Sequence, residues 1–168
     1  MDKINLIYPE IFISILIMFL LILGVYKKNS AKLINNLSIF TLIGALVLIL
    51  NYPLSTNLEL FNRSYKIDYL SSYMKILTII SGIFVLLTSS TYLKILKIFQ
   101  IEYPILILCS ILGMLVMISS NDLIVFYIGL ELQTLALYVL ASFNRDQIKS
   151  SEAGLKYFVL SALSSGLL

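Results

Sequence analysis

The stretch from Tyr103 to Phe143 reads YPILILCSILGMLVMISSNDLIVFYIGLELQTLALYVLASF. A helix rises about 1.5 Å per residue and a hydrocarbon core is about 30 Å thick, so one span needs roughly 17 to 25 apolar residues. The run is too long for one span, and the polar segment from Ser119 to Asp122 divides it. Asn121 or Asp122 can cap a new helix there, because a short side-chain oxygen accepts free amide protons at a helix start. The stretch therefore predicts a tight pair of transmembrane helices.

The rest of the chain has the same membrane character. Of its 168 residues, 60% are hydrophobic and 12% are charged, and the mean hydropathy is +0.98. Because an average soluble domain has about 25% charged residues, so few charges cannot cover a water-soluble core. The sequence predicts an all-α, polytopic transmembrane helix bundle, a single domain over residues 1–168 with about six spans: 9–26, 33–50, 70–93, 103–119, 122–143 and 151–168.

The composition also excludes several kinds of site. With no histidine and one cysteine, Cys109, the chain has no disulfide framework and no cysteine cluster for zinc or iron–sulfur centres. Cys109 is expected to be a small apolar filler in the fourth helix. A redox centre, if there is one, is therefore expected in another chain. The net charge of +3 is spread over short loops, so we expect membrane lipids and no nucleic acid as partners.

The lysines and arginines indicate an orientation, because positive residues are retained on the side where synthesis occurs. The loops after helices one, three and five hold seven of them. The opposite face holds three, or four if Lys75, near the start of the third helix, extends its amine to the interface. This distribution favours both termini on the trans side of the membrane.

Two charged residues are predicted to lie inside the apolar spans. Glu131 lies eight residues into the fifth helix, roughly 12 Å below its start, and Lys156 lies four or five residues into the sixth, roughly 7 Å below the opposite face. A charge at the centre of a span costs about 2.5 to 3.5 kcal/mol, so such residues usually face a protein interior or a water-filled cavity. We interpret Glu131 as a proton-handling residue and Lys156 as its electrostatic partner.

Other interpretations of these residues stay open. Glu131 and Lys156 could form a structural ion pair, but about 10 Å of depth separates them, which favours a water-bridged relay over direct contact. Lys156 could instead extend its amine to the interface. Gln133 and Thr134 could form hydrogen bonds within a cavity or between helices.

Two segments of the sequence resemble a known family. Residues 119–146, SSNDLIVFYIGLELQTLALYVLASFNRD, and residues 150–168, SSEAGLKYFVLSALSSGLL, are similar to subunit 2 of respiratory NADH:ubiquinone oxidoreductase (complex I), which is called subunit N in bacteria. The Glu-Leu-Gln segment at Glu131 and the Glu-Ala-x-x-Lys-Tyr pattern from Glu152 to Tyr157 are typical of this subunit. The opening Tyr8-Pro9-Glu10-Ile11 also fits the family, which belongs to the antiporter-like membrane subunits.

The resemblance implies a membrane-arm subunit that helps to couple quinone reduction to proton translocation. Glu131 matches the family's glutamate of helix five, and Lys156 matches its lysine of helix six. The resemblance implies partners among the other membrane-arm subunits of complex I. It also implies no cofactor in this chain, because NADH, flavin, iron–sulfur clusters and ubiquinone belong to other subunits of the complex.

The family's proton path needs more helices than this sequence contains, including a broken seventh helix with a lysine and a second inverted repeat. We expect a separate polypeptide to supply the missing C-terminal half. Two alternatives stay open: a structural or assembly fragment with no active proton path, and a small free-standing proton-coupled transporter that acts as a homo-oligomer.

The residue usage adds an expectation about the source. Isoleucine, leucine, lysine, asparagine, tyrosine, serine and phenylalanine are abundant, and tryptophan and histidine are absent. Such usage suggests an A/T-biased organellar genome. We therefore expect a multi-pass protein of the mitochondrial inner membrane.

Overall fold

The computed structural model describes residues 7–26, 31–51, 58–61, 63–96 and 98–167. Within these residues the chain forms six helices: α1 (Tyr8–Tyr26), α2 (Ala31–Leu50), α3 (Tyr69–Ile95), α4 (Glu102–Ile118), α5 (Leu123–Ala141) and α6 (Ile148–Leu167). Each begins and ends within three residues of a predicted span. The predicted fold class, an all-α polytopic bundle, is confirmed. Several residues used for the predicted span ends and orientation lie outside the described residues: Lys3, Lys27, Lys28, Tyr52, Pro53, Lys97 and Leu168.

The helices differ in how well they suit a membrane. By length and composition α1, α2, α3 and α5 can each cross one, while α4 is apolar but has only 17 residues. Helix α6 carries Lys149, Glu152 and Lys156 in its first half and is the least apolar of the six.

The hydrophobic core lies among α1, α2, α3 and α4. Each of these helices contributes aliphatic side chains at helical spacing, of which Ile13, Leu42, Ile79 and Leu108 are fully buried. Helix α5 packs against α4 on one side and against α6 on another. As a result α5 and α6 lie outside this core, and many of their apolar side chains are exposed.

Helices α4 and α5 form the tight pair predicted from the sequence. A β-carbon added at Gly113 would come within 2.6 Å of the Gln133 amide nitrogen, and one added at Gly129 within 2.9 Å of the Met117 amide nitrogen. The two backbones can approach so closely only because neither glycine carries a side chain.

A short β-hairpin interrupts the helical architecture, and the sequence analysis did not predict it. Strand β1 (Leu58–Leu60) pairs antiparallel with β2 (Tyr65–Ile67), so that Leu60 lies opposite Tyr65. Phe61 and Arg63, in the turn, have φ angles of 50° and 75°. Strands of three residues give too short an alternation to be read from sequence. We call residues 58–67 the hairpin.

The hairpin is held by the connection between α4 and α5. The Lys66 amide donates a hydrogen bond to the Ser119 carbonyl at 2.8 Å, and the Asn121 amide donates to the Ser64 carbonyl at 2.9 Å. The Asn121 side chain also donates to the Arg63 carbonyl at 2.7 Å. These contacts place the start of α5 directly against the hairpin.

Candidate functional site

Helix α5, which carries Glu131, has a defined start. Asp122 is the residue that precedes its first turn, and Oδ1 of Asp122 accepts a long hydrogen bond from the Ile124 amide at 3.5 Å. A side-chain oxygen at this position satisfies one of the free amides of a helix start. Of the two residues predicted to cap this helix, Asp122 takes that place, while Asn121 binds the hairpin.

Glu131 lies eight residues after Leu123, roughly 12 Å along α5, and its side chain is half-buried. Gly129 and Gln133, two residues before and after it, face α4. Since residues two apart lie on opposite sides of a helix, Glu131 projects away from α4. Within the described part of the chain, its carboxylate forms neither a hydrogen bond nor an ion pair.

The polar neighbours of Glu131 do not contact its carboxylate. The Thr134 hydroxyl donates to the backbone carbonyl of Glu131 at 3.2 Å, within the same helix. Gln133 lies with its backbone against Gly113 of α4. The Thr134 hydroxyl therefore donates its hydrogen bond within α5. It does not donate into a cavity or to another helix, which were the two predicted alternatives.

Lys156 is exposed and forms an ion pair with Glu152, one turn earlier in α6, with Nζ 2.6 Å from Oε1. Helix α6 begins at Ile148, three residues before its predicted start, because the helix includes part of the polar segment that was assigned to a loop. Lys156 consequently lies eight residues into α6, roughly 12 Å from its start and deeper than predicted. Its nearest partner is Glu152 and not Glu131.

The contacts between α5 and α6 explain why Glu131 and Lys156 stay apart. The Tyr138 ring packs edge-on against Tyr157 at 5.0 Å between centroids, and Gly154 lies against Ser142. In this antiparallel register Lys156 is level with about residue 140, nine residues from Glu131, or roughly 13 Å along the helix. The two residues are therefore too far apart for a direct ion pair.

A second charged site is buried within the chain and was not predicted from the sequence. Lys75 is only 3% exposed, and its Nζ donates to Glu10 Oε1 at 2.6 Å and to the Tyr65 hydroxyl at 3.0 Å. The Tyr65 hydroxyl donates to the same Glu10 oxygen at 2.8 Å. We call Glu10, Tyr65 and Lys75 the buried triad.

Lys75 therefore does not extend its amine to the interface, a placement that the sequence left open. Glu10, in the first turn of α1, provides a counter-charge within reach of α3, and Tyr65 of the hairpin completes the site. A buried cation is stable only when it is paired and hydrogen-bonded. The sequence does contain a signal for this site. Glu10 near the start of α1 and Lys75 near the start of α3 carry opposite charges, and both helices start near the same face of the bundle.

The triad's hydroxyl stays protonated. Burial raises the pKa of Tyr65 well above its ordinary value, the charge of Glu10 raises it further, and the nearby Ser119 hydroxyl works in the opposite direction. Closer to solvent, Lys66 and Asp68 form an ion pair at 2.8 Å, and the hydrogen bond and charge of Asp68 raise the pKa of Lys66. Tyr65 is thus a hydrogen-bond donor to Glu10 throughout the physiological range.

The described residues contain no group of three or more histidine, cysteine, aspartate or glutamate side chains that could hold a metal ion. Cys109 is partly buried and packs against the core of α1 to α4, in agreement with its expected role as a filler.

Several known proteins are similar to this chain. A family model described as "NADH:quinone oxidoreductase/Mrp antiporter, TM" matches residues 120–168, which include Glu131 and Lys156. NADH-quinone oxidoreductase subunit N of Pelagibacter ubique is 71% identical over the whole chain, which covers 36% of that protein. Subunit N of Bartonella bacilliformis is 48% identical over 97% of the chain, which covers 33% of it.

A solved structure has the same fold. A chain of the respiratory complex I from Thermus thermophilus with bound aureothin matches 94% of this chain with a TM-score of 0.76 and 22% identity, over 34% of its own length. The relatives named here are bacterial, so the predicted mitochondrial location gains no support from them. The chain spans about a third of the length of the curated relatives it matches. The chain is similar over its whole length to NADH-quinone oxidoreductase subunit N and corresponds to the N-terminal part of that protein.

Proposed function

We propose that this chain is part of subunit N in the membrane arm of a bacterial complex I, and that Glu131 takes part in the proton translocation driven by NADH oxidation and quinone reduction. The observation that carries the proposal is the position of Glu131: a half-buried carboxylate in the middle of an apolar helix, with no charge partner among the described residues. The identity to subunit N over the whole chain supports its membership.

The chemistry follows from the surroundings of the carboxyl group. Apolar surroundings favour the protonated form of a carboxyl group, and an approaching cation favours the ionised form. Glu131 projects away from α4, where the exposed side chains Ile128 and Leu135 lie on the same helix. This side is therefore the one from which a cation could approach the carboxyl group.

Lys156 is proposed to act on Glu131 through water, since roughly 13 Å of helix separates them. Its ion pair with Glu152 is exposed, and such pairs contribute about 0.3 to 0.5 kcal/mol between residues one turn apart, so the amine can leave this partner at low cost. The positively charged amine of Lys156 can then move toward α5.

The proposal assigns the redox chemistry to other chains. NADH, flavin, iron–sulfur clusters and ubiquinone are proposed to bind elsewhere in the complex, and the partners of this chain are the other membrane-arm subunits and the remaining part of subunit N. That a separate polypeptide supplies this remaining part stays a prediction, which mass spectrometry of the purified complex can check. The membrane is proposed to be the cytoplasmic membrane of a bacterium.

Two experiments test the proposal. The chain should co-purify with a large NADH-oxidising assembly on a native gel; a small homo-oligomer without partner subunits would favour the free-standing transporter instead. In membrane vesicles, Glu131→Gln should lower proton uptake driven by NADH while the amount of assembled complex stays unchanged. Glu102→Gln, which alters an exposed carboxylate paired with Arg145, is the matched control.

A structural role is the second candidate, because the tight α4–α5 contact at Gly113 and Gly129 leaves Glu131 on a helix that packs well without it. If Glu131 serves only packing, Glu131→Gln changes the amount or the thermal stability of the assembled complex and leaves proton uptake per assembled complex unchanged.

A further inference from the structure

The buried triad leaves one carboxylate oxygen without a donor. Both hydrogen bonds to Glu10, from Lys75 and from Tyr65, end on Oε1. Oε2 of Glu10 is buried and has no hydrogen-bond partner among the described residues. A buried carboxylate oxygen in this state is costly, and native proteins usually satisfy such atoms with an ordered water or a proton.

A second unsatisfied oxygen lies beside the same tyrosine. Ser119, at the end of α4, is 1% exposed, and its Oγ has no hydrogen bond of full geometry within the described ranges. Its side chain neighbours the Tyr65 hydroxyl, and its carbonyl accepts a hydrogen bond from the next residue of the hairpin, Lys66, at 2.8 Å. Glu10 and Ser119 therefore approach Tyr65 from two different helices, each with an oxygen that lacks a donor or acceptor.

We propose that Glu10, Tyr65, Lys75 and Ser119 enclose an internal water-binding site. Water bridges Glu10 Oε2 and Ser119 Oγ, because internal waters occupy polar sites that offer two to four hydrogen-bond partners. The water donates a hydrogen bond to Glu10 Oε2, and the Ser119 hydroxyl is its second partner. The ion pair between Glu10 Oε1 and Lys75 stays intact.

A purely structural ion pair makes different predictions, and the intact complex distinguishes the two. A cryo-electron microscopy map that resolves ordered water should show density within hydrogen-bond distance of Glu10 Oε2 and Ser119 Oγ. Ser119→Ala should remove this density, and Ser120→Ala should leave it, because the Ser120 hydroxyl donates to the Met117 carbonyl outside the site. A protein donor on Glu10 Oε2 would overturn the proposal.

This measurement does not involve Glu131, so the proposed function can fail independently.

Discussion

The buried triad and the α5–α6 region hold their charges in opposite ways. In the triad, Glu10 and Lys75 are almost completely buried and lie 2.6 Å apart, with Tyr65 bonded to both. In the α5–α6 region, Glu131 is half-buried without a charge partner among the described residues, and Lys156 is exposed beside Glu152. The first arrangement is neutralised within this chain. The second leaves a carboxylate on the side of α5 turned away from the core, which is what a group that exchanges protons with other elements requires.

The two regions are physically connected. The hairpin contributes Tyr65 to the triad, and through its backbone bonds to Ser119 and Asn121 it also fixes the connection from which α5 begins. The close contact at Gly113 and Gly129 then holds α5 against α4. Changes in the triad should therefore destabilise the bundle, whereas changes at Lys156 should be tolerated.

The largest difference between the regions is expected for their lysines. Lys75→Met leaves the Glu10 carboxylate buried without its counter-charge and should destabilise the protein by about 3 to 5 kcal/mol. The measurement is the thermal unfolding and the yield of the assembled complex. Lys156→Met, which removes an exposed charge, is the matched control and should lie within about 0.5 kcal/mol of the unmodified protein. Equal losses for both variants would contradict the contrast between the two regions.

A smaller loss is expected for the tyrosine of the triad. Tyr65→Phe removes a hydroxyl that donates to a carboxylate and accepts from an ammonium group, and hydrogen bonds to charged groups contribute about 1.5 to 3 kcal/mol. Thermal unfolding of the complex measures the effect. Tyr92→Phe, at a position 63% exposed, provides the comparison and should have no measurable effect. If the two variants unfold at the same temperature, the triad does not hold the hairpin.

The α4–α5 contact should be sensitive to a single methyl group. In Gly129→Ala the new β-carbon meets the Met117 amide nitrogen at 2.9 Å and the Gly113 carbonyl oxygen at 3.0 Å, both backbone atoms. Overpacking of this kind costs about 1 to 3 kcal/mol. Gly166→Ala, in α6, has nothing within 4 Å of the new carbon and should be neutral or slightly stabilising. An unchanged melting temperature in Gly129→Ala would show that the two helices are not in close contact.

The smallest effect is expected at the exposed ion pair of α6. Glu152→Gln removes the partner of Lys156 and should cost at most about 0.5 kcal/mol, since salt bridges of this type are weak. Its unfolding should also depend less on salt concentration than that of the unmodified protein. A loss as large as that of Lys75→Met would mean that Lys156 has a structural role that its exposure does not indicate.

The helices could be predicted from the sequence because their signal is local. Long apolar runs divided by charges specify spans one at a time, and the polar residues from Ser119 to Asp122 mark the turn of the α4–α5 pair. The position of Glu131 in α5 followed from counting residues. None of these predictions required knowledge of which helices are neighbours.

The triad and the hairpin could not be predicted in this way because they depend on contacts distant in sequence. Tyr65 and Lys75 meet Glu10 across 55 and 65 residues, and a lysine near a helix start is compatible with either an interface or a buried partner. The strands are only three residues long and depend on backbone bonds from Ser119 and Asn121. The start of α6 was misplaced because its first turns are polar, whereas the observed helix includes these turns and packs Gly154 against Ser142, the residue that follows α5.

The most direct test of Glu131 is the number of protons translocated per electron by the purified complex in liposomes. Flavin content gives the amount of complex, and electron transfer from NADH to quinone is recorded in the same sample. Glu131→Gln should translocate fewer protons per electron than the unmodified complex, and Glu102→Gln, which alters an exposed carboxylate, should match the unmodified value. An unchanged ratio in Glu131→Gln would contradict the assignment of proton translocation to this carboxylate.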